Sequence, residues 1–543
     1  MKKICTLLIV IAFLLFSCKN TNNENNSSNT QDEISKKNKK LSTRDYSITK
    51  QNSYNDLFLD STDVAAFLVQ NKVPDSIALR IRSFYNTRNY QFAWFSSNGL
   101  AEQAFGFWSL KNYEGDTAIK IKGLQKTMDD LMTADSLVIP DHDKSTINTE
   151  LLLTESFINY AGSNFEKGYL KRKEAERFIP SKKSGALYLA DSILNKKHKD
   201  NKYFADINEP YKLLADQLRN YTSIAKNGGW PTIPAGQKYT PGVSAPGIVS
   251  IKKILAVTGD LPQPDSTELY NENLQNGIKN FEKRYGYTAD GKLSASLLKE
   301  MSVPANERIQ QILINMNRMR WMPRVPDGKL IVVNIPEFIL HVYNGKKNEF
   351  NMTVVVGKEG HNTTIFSNKL TTIVFSPYWA LPGDIVKKEI LPAMERNAKY
   401  LEKHNMEIIG RNNGLPVIRQ KPGGDNSLGK VKFLFPNSFN IYFHDTPAKS
   451  LFSKDVRAYS HGCIRLSEPQ KLAIYLLSDD RSWTKEKIDE AMNKEKEAYV
   501  RVKNPVPVFI TYYTAWVDDD GKLNFRKDIY GHDANIAGKM FTH

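Results

Sequence analysis

KLIVVNIPEFILHVYNGKKNEFNMTVVVG, residues 329–357, alternates apolar and polar side chains and carries Asn344-Gly345, a two-residue hairpin signal. Antiparallel strands are expected here. Downstream, NKLTTIVFSPYWALP (368–382) reads as another strand, and residues 384–404 revert to a helical period. VKFLFPNSFNIYFHDTP (431–447) supplies two more strands joined at Pro436-Asn437, and VPVFITYYTAWV (506–517) closes the unit. Residues 326–517 are therefore expected to form a mainly β domain, with a capping insertion over 384–430 as its candidate lid.

Upstream the period is helical. Ile77, Ile81 and Phe84 recur at three to four residues, as do Leu124, Met128 and Leu131, and Leu151, Phe157 and Ile158. A helical scaffold over 51–236 is expected, with the Pro- and Gly-laden WPTIPAGQKYTPG (230–242) as an extended connector. Over 237–303 the stripe Leu274, Ile278, Phe281 ends at Gly286, and Asp290-Gly291 makes a turn. LQNGIKNFEKRYGYTADGKL in this stretch is similar to the three-helix peptidoglycan-binding domain; glycan binding and plain packing are both open to it. A linker helix follows (304–325), and the tail 518–543 resembles no pattern. The fold class is a multidomain α+β chain.

Of 543 residues, 75 are basic and 59 acidic, a net charge of +16 that suits an anionic partner. The lysines are scattered and no nucleic-acid-binding signature is present, so nucleic acid is set aside. Lys2 and Lys3 precede an apolar run, Ile4 to Phe16, that is too short to span a membrane and reads as a signal peptide (1–18). Cys18 after Leu15-Phe16-Ser17 resembles the lipobox of bacterial lipoproteins, which implies lipidation at Cys18 and anchoring to a membrane on the periplasmic side of the envelope. Lys19 stands where an aspartate retains some lipoproteins inside, which favours the outer membrane. Residues 19–50 are too polar to bury much surface and are expected to be a tether.

The three cysteines then sort themselves. Cys5 leaves with the signal, Cys18 takes lipid, and Cys463 remains as a lone thiol in a compartment where unpaired thiols are uncommon. A free thiol is mostly protonated at neutral pH, so a nucleophilic role needs a base. His461 and His444 are the candidates, the latter separated from Ser460 by fifteen residues (445–459) that can loop back. Gly462 clears space beside the sulfur, and N–H groups around Gly462 and Cys463 can face an oxyanion. Paired metal-ligand spacing is missing, so no metal site is expected.

His444 followed after fifteen residues by Ser460-His461-Gly462-Cys463-Ile464-Arg465 resembles the catalytic signature of the L,D-transpeptidases, with their YkuD-type domain. FYNTRNYQFAW, GGWPTIPAG, NMNRMRWMP, MTVVVGK, FSPYWALP, IVKKEILP and YFHDTP resemble the large, multidomain periplasmic branch, whose usual Trp-Asn-Val-Pro-Pro-Ser-Ile here reads WALPGDI (379–385). The resemblance implies Cys463 as nucleophile, His444 as general base and the backbone carbonyl of Asp445 as its orienter, with the Asp445 carboxyl a turn group. It further implies that His461 and Gly462 shape the oxyanion side, and that Arg465, Tyr442, Trp379 and Ser460 meet substrate. Arg465 pairing with a structural carboxylate, and Tyr442 and Trp379 as core aromatics, remain open.

The implied reaction needs no cofactor. Cys463 would take a donor tetrapeptide stem of peptidoglycan, release D-alanine and pass the acyl group to an acceptor stem as a 3→3 crosslink, and carbapenems would acylate the same sulfur. The competing readings are an L,D-carboxypeptidase or D-amino-acid exchange enzyme using the same cysteine, and a non-catalytic wall-binding lipoprotein.

Overall fold

Strands Lys329–Asn334 (β1), Ile339–Asn344 (β2), Lys347–Gly357 (β3) and Phe366–Phe375 (β4) open the β domain in a computed structural model of the chain. The structure describes residues 41–115, 123–133, 138–140, 142–165, 179–195 and 208–542. The expected signal peptide, Cys18 and most of the tether lie outside the described residues.

An insertion follows β4, carrying Trp379–Ala380 (β5), Met406–Asn412 (β6) and Leu415–Gln420 (β7). The domain then resumes with Val431–Leu434 (β8), Phe443–His444 (β9), Ala458–Ser460 (β10), Ile464–Leu466 (β11) and Ala498–Thr511 (β12). Neighbours run β10-β3-β11-β9-β8-β4-β12-β1-β2, and β2 pairs back onto β3, so the sheet closes on itself and only β10 is left as an outer edge. Closure removes the unpaired backbone that an open sheet would expose. Most pairs are antiparallel; β9 with β11, β12 with β1 and β10 with β3 run parallel.

Alternate residues of these strands fill the interior: Ile331, Val333, Leu340, Val342, Val354, Ile373, Phe433, Phe443 and Ile464 are all fully buried. The β2–β3 hairpin turns one residue later than Asn344-Gly345 suggested. Asn344 pairs with Lys347, leaving Gly345-Lys346 at the tip. Gly345 has φ +58°, a conformation glycine adopts without Cβ strain.

The insertion is not only helical. Beside its helices it holds a three-stranded sheet, β5-β7-β6, and a small core of its own from Leu381, Val386, Ile390 and Ile418. Val386–Ile390 is a π-helical turn.

The N-terminal half packs helices around an aromatic knot in which Trp94, Phe107, Phe157 and Trp321 meet at centroid distances of 5.3–6.5 Å. The helix Lys144–Phe165 sends Glu150 into this core, fully buried, where it accepts from the backbone N–H groups of Ala93 and Trp94. Helix Ala305–Met319 is buried along most of its length and joins the two halves. Helix Glu272–Arg284 is capped by the Asn271 side chain, and Gly277 lets Leu261 approach where a Cβ would sit 3.2 Å away.

The tail, unreadable in sequence, is a structural element. A hairpin of Ala515–Val517 and Leu523–Phe525 and a helix His532–Met540 bury Phe525, Ile536, Met540 and Phe541 in the same core as the scaffold. Arg284 clasps Asp260 at 2.5 Å and also donates to the Leu523 carbonyl, tying the small unit to that hairpin.

Candidate active site

The parallel pair β9–β11 sets the site. His444 stands opposite Arg465 and Phe443 opposite Ile464, and the Ile464 N–H donates to the Tyr442 carbonyl at 3.1 Å, carrying the ladder one step further. Strand alternation turns Phe443 and Ile464 into the barrel core, both fully buried. It turns Tyr442, His444, Cys463 and Arg465 onto the opposite face, with Cys463 and His444 as diagonal neighbours. That places their Cα atoms about 8 Å apart, a span that two side chains leaning together can bridge.

The His444 ring is buried, and its Nδ1 lies 2.5 Å from the Asp445 carbonyl oxygen. With Nδ1–H donating to that carbonyl, Nε2 is the free, basic nitrogen. Burial, and then the Arg465 guanidinium, push the imidazole pKa down to about 3, so it is neutral at ordinary pH. Lys432 on β8, the direct cross-strand partner of His444, adds to this.

Cys463 is a free, partly exposed thiol that donates to the Asn440 carbonyl at 3.5 Å. Burial raises its pKa against opposing hydrogen bonds from the Tyr442 backbone and side chain and the field of Arg465. Thiol and imidazole are thus both uncharged at rest. Proton transfer has to accompany attack rather than precede it.

The Asp445 carboxylate faces away from this pair. It accepts from the Lys430 and Thr446 N–H groups at 2.9 and 2.7 Å and from the Lys449 ammonium at 2.6 Å, making it a turn clamp. Gly429, φ +60°, makes room for it, since a Cβ there would collide with the carboxyl.

Two expectations are corrected. Ser460, expected to meet substrate, is 2% exposed, and its hydroxyl donates to the Cys463 carbonyl at 2.5 Å while accepting from the Gly462 N–H at 3.2 Å. It is a brace within the loop. That same contact occupies the Gly462 N–H, so Gly462 serves through its conformation, φ +106°, rather than as an oxyanion donor. Trp379 packs against the insertion's own core beside Leu381 and Ile418, and its partner in the ladder is Gln420.

Arg465 has no ion pair among the described residues, and its Nε is buried without a hydrogen-bond partner. Its guanidinium therefore stays available to an anion. His461 lies 3.6 Å from Glu389 of the insertion and 4.8 Å, centroid to centroid, from His361. Through Glu389 the π-helical turn of the insertion reaches the nucleophile's loop. Sequence reading missed Asn440, which acts through its backbone carbonyl, Lys432, which acts through cross-strand register, and His361 and Glu389, whose side chains meet His461 only through tertiary packing. Among the described residues no group of three or more His, Cys, Asp or Glu side chains could hold a metal.

Residues 328–508 match the family of L,D-transpeptidase catalytic domains, and residues 80–218 match a family described as a scaffold domain. A Haemophilus influenzae protein named for L,D-transpeptidase activity is 31% identical over 242 residues, 42% of this chain and 49% of that protein. The chain thus matches about half the length of its curated relative. Among solved structures, an L,D-transpeptidase from Stackebrandtia nassauensis is 16% identical, covering 52% of this chain and 96% of its own with a TM-score of 0.22. One from Mycobacterium smegmatis is 15% identical, covering 34% and 58% with a TM-score of 0.20. Likeness at that level adds no weight to the family match.

Proposed function

We propose that this chain, which carries an L,D-transpeptidase catalytic domain, is a cysteine acyltransferase that forms 3→3 crosslinks between peptidoglycan stems. The observation that carries this reading is the Cys463–His444 diagonal, with Nδ1 of the imidazole engaged by the Asp445 carbonyl and Nε2 left basic.

In the first half-reaction Cys463 Sγ attacks the carbonyl that joins the third residue of a donor tetrapeptide stem to its terminal D-alanine. The thiol proton passes to His444 Nε2. As the C–N bond breaks, that proton goes to the departing amine, leaving a thioester. In the second, the side-chain amine of an acceptor stem's third residue attacks the thioester, His444 takes its proton and the thiol is restored. Base help of this kind contributes about 10²–10⁴-fold. Arg465, lacking a carboxylate partner, suits an anionic stem peptide. The insertion would keep water from the thioester, favouring transfer over hydrolysis. Anchoring through lipidated Cys18, on the periplasmic side of the envelope and by preference at the outer membrane, belongs to the same proposal.

The test feeds disaccharide tetrapeptides to the purified protein and reads products by mass spectrometry. Dimers lacking one D-alanine and joined 3→3 are expected, and Cys463→Ala abolishes them. Tripeptide alone would make the chain an L,D-carboxypeptidase, and exchange of the terminal D-alanine for an added D-amino acid would make it an exchange enzyme. Unaltered substrate with wild-type protein would leave a non-catalytic wall-binding lipoprotein. Palmitate labelling lost in Cys18→Ala tests the anchor.

A further inference from the structure

The tail that resembles no sequence pattern reaches the nucleophile through hydrogen bonds. Tyr530 stacks on Tyr512 at 5.6 Å, and its N–H donates to the Tyr512 hydroxyl at 2.8 Å. That hydroxyl donates in turn to Asp528 at 2.7 Å, so the aromatic pair is locked from both ends. The Tyr530 hydroxyl donates to the Gly357 carbonyl at 2.6 Å and accepts from the Thr363 N–H at 3.3 Å. It thereby staples the two ends of the loop that follows β3. The Thr363 hydroxyl accepts from the Gly357 N–H at 2.9 Å and donates to the Gly462 carbonyl at 2.8 Å. Gly357 admits no side chain here, because a Cβ would meet the His361 carbonyl oxygen at 2.0 Å.

The Gly462 carbonyl and the Cys463 N–H belong to one planar trans peptide and point in opposite directions. Holding the carbonyl against Thr363 therefore aims the N–H of the nucleophile itself. On the other side, Ser460 holds the Gly462 N–H and the Cys463 carbonyl. The peptide plane is pinned on both flanks, and Gly462 at φ +106° is the residue that lets it stand so.

We infer that Tyr530 and Thr363 are positioning residues that orient the Cys463 N–H toward the oxyanion formed in acyl transfer. The inference rests on the acyl-transfer reading above. The same strap is anchored in the helical half, since Asp533 three residues on accepts from Arg318 at 2.5 Å and from Thr514 at 2.5 Å. The catalytic domain is completed from outside its family boundary, residues 328–508.

The experiment compares two reactions of Cys463 in the full chain. Imipenem acylation passes through a tetrahedral oxyanion: the lactam C–N bond breaks, the S–C bond forms, and the thiol proton ends on the opened ring. Iodoacetamide alkylation at pH 9, read by site-resolved mass spectrometry, displaces iodide and forms no oxyanion. Thr363→Val is expected to slow acylation about 10²-fold and Tyr530→Phe about tenfold, with Thr363→Ser restoring most of the rate. Alkylation is expected to stay within about twofold of wild type in all three. Acylation at the wild-type rate in both Tyr530→Phe and Thr363→Val overturns the inference. So does a parallel fall in both reactions, which would mark a merely structural role. Wild-type protein that alkylates but never acylates would instead sink the acyl-transfer reading, and this inference with it.

Discussion

His444 and Arg465 face each other directly across the parallel strands β9 and β11, and the base is thereby held next to a permanent positive charge. A cation beside an imidazole disfavours its protonation, and burial does so further. Burial, and then this charge, keep the base neutral well below the usual histidine range.

One consequence is a flat acid side of the pH profile. An ordinary imidazole titrates near 6.5, whereas His444 is pushed down to about 3. The folded value lies below the unfolded one, so protons bind the unfolded chain first, and the base form persists in the fold as pH falls. Acyl-transfer rates are expected to change by less than about twofold between pH 5 and 7. A half-maximal point near 6.5 in the initial-rate profile would contradict the assignment.

Removing the neighbouring charge should move that limb. Arg465→Gln takes away the largest charge acting on His444, so the acid limb shifts upward. The same substitution removes an unpaired guanidinium from the cleft, and KM for an anionic stem peptide should rise about tenfold or more. Arg465→Lys, which keeps charge without the planar fork, should hold the limb in place yet recover KM only in part.

Gly462→Ala separates strain from clash. The nearest atoms to an added Cβ are 3.7 and 4.0 Å away, an ordinary contact, but the backbone sits at φ +106°. The expected cost is about 1–3 kcal/mol of backbone strain, relieved by rotation of the very peptide that carries the Cys463 N–H. Activity should therefore fall further than thermal stability, as measured on one preparation by kinetics and calorimetry.

Stability of the small unit rests on its buried ion pair. Asp260 and Arg284 have side-chain exposures of only 1% and 8%. Asp260→Asn leaves a buried guanidinium without its counter-ion, at about 3–5 kcal/mol. Lys126→Ala breaks a pair whose side chains are 82% and 65% exposed and should leave the unfolding midpoint nearly unchanged. Urea unfolding of the two variants, followed by circular dichroism, tests the contrast.

The chemistry-bearing core of the site was legible because it is local in sequence. Gly462, Cys463 and Arg465 sit within four positions, and His444 follows strand alternation back to the same face. The β domain was legible for the same reason, since period-two patterning is a property of consecutive residues. Strand β6 of the insertion escapes a period-two reading because it is largely exposed and shows no alternation of burial.

What the sequence determined alone is the inventory: one thiol beyond residue 18, a histidine able to serve it, the strands that bear them and the helical scaffold ahead of them. Tertiary structure decided everything that depends on backbone atoms distant in the chain. The Asn440 carbonyl that accepts the thiol's hydrogen bond is 23 positions from Cys463, and the Gly357 carbonyl that accepts from Tyr530 is 173 positions from it. A carbonyl has no letter of its own, so its direction is set by strand register and loop closure and is fixed only once the barrel closes and the tail packs beneath it.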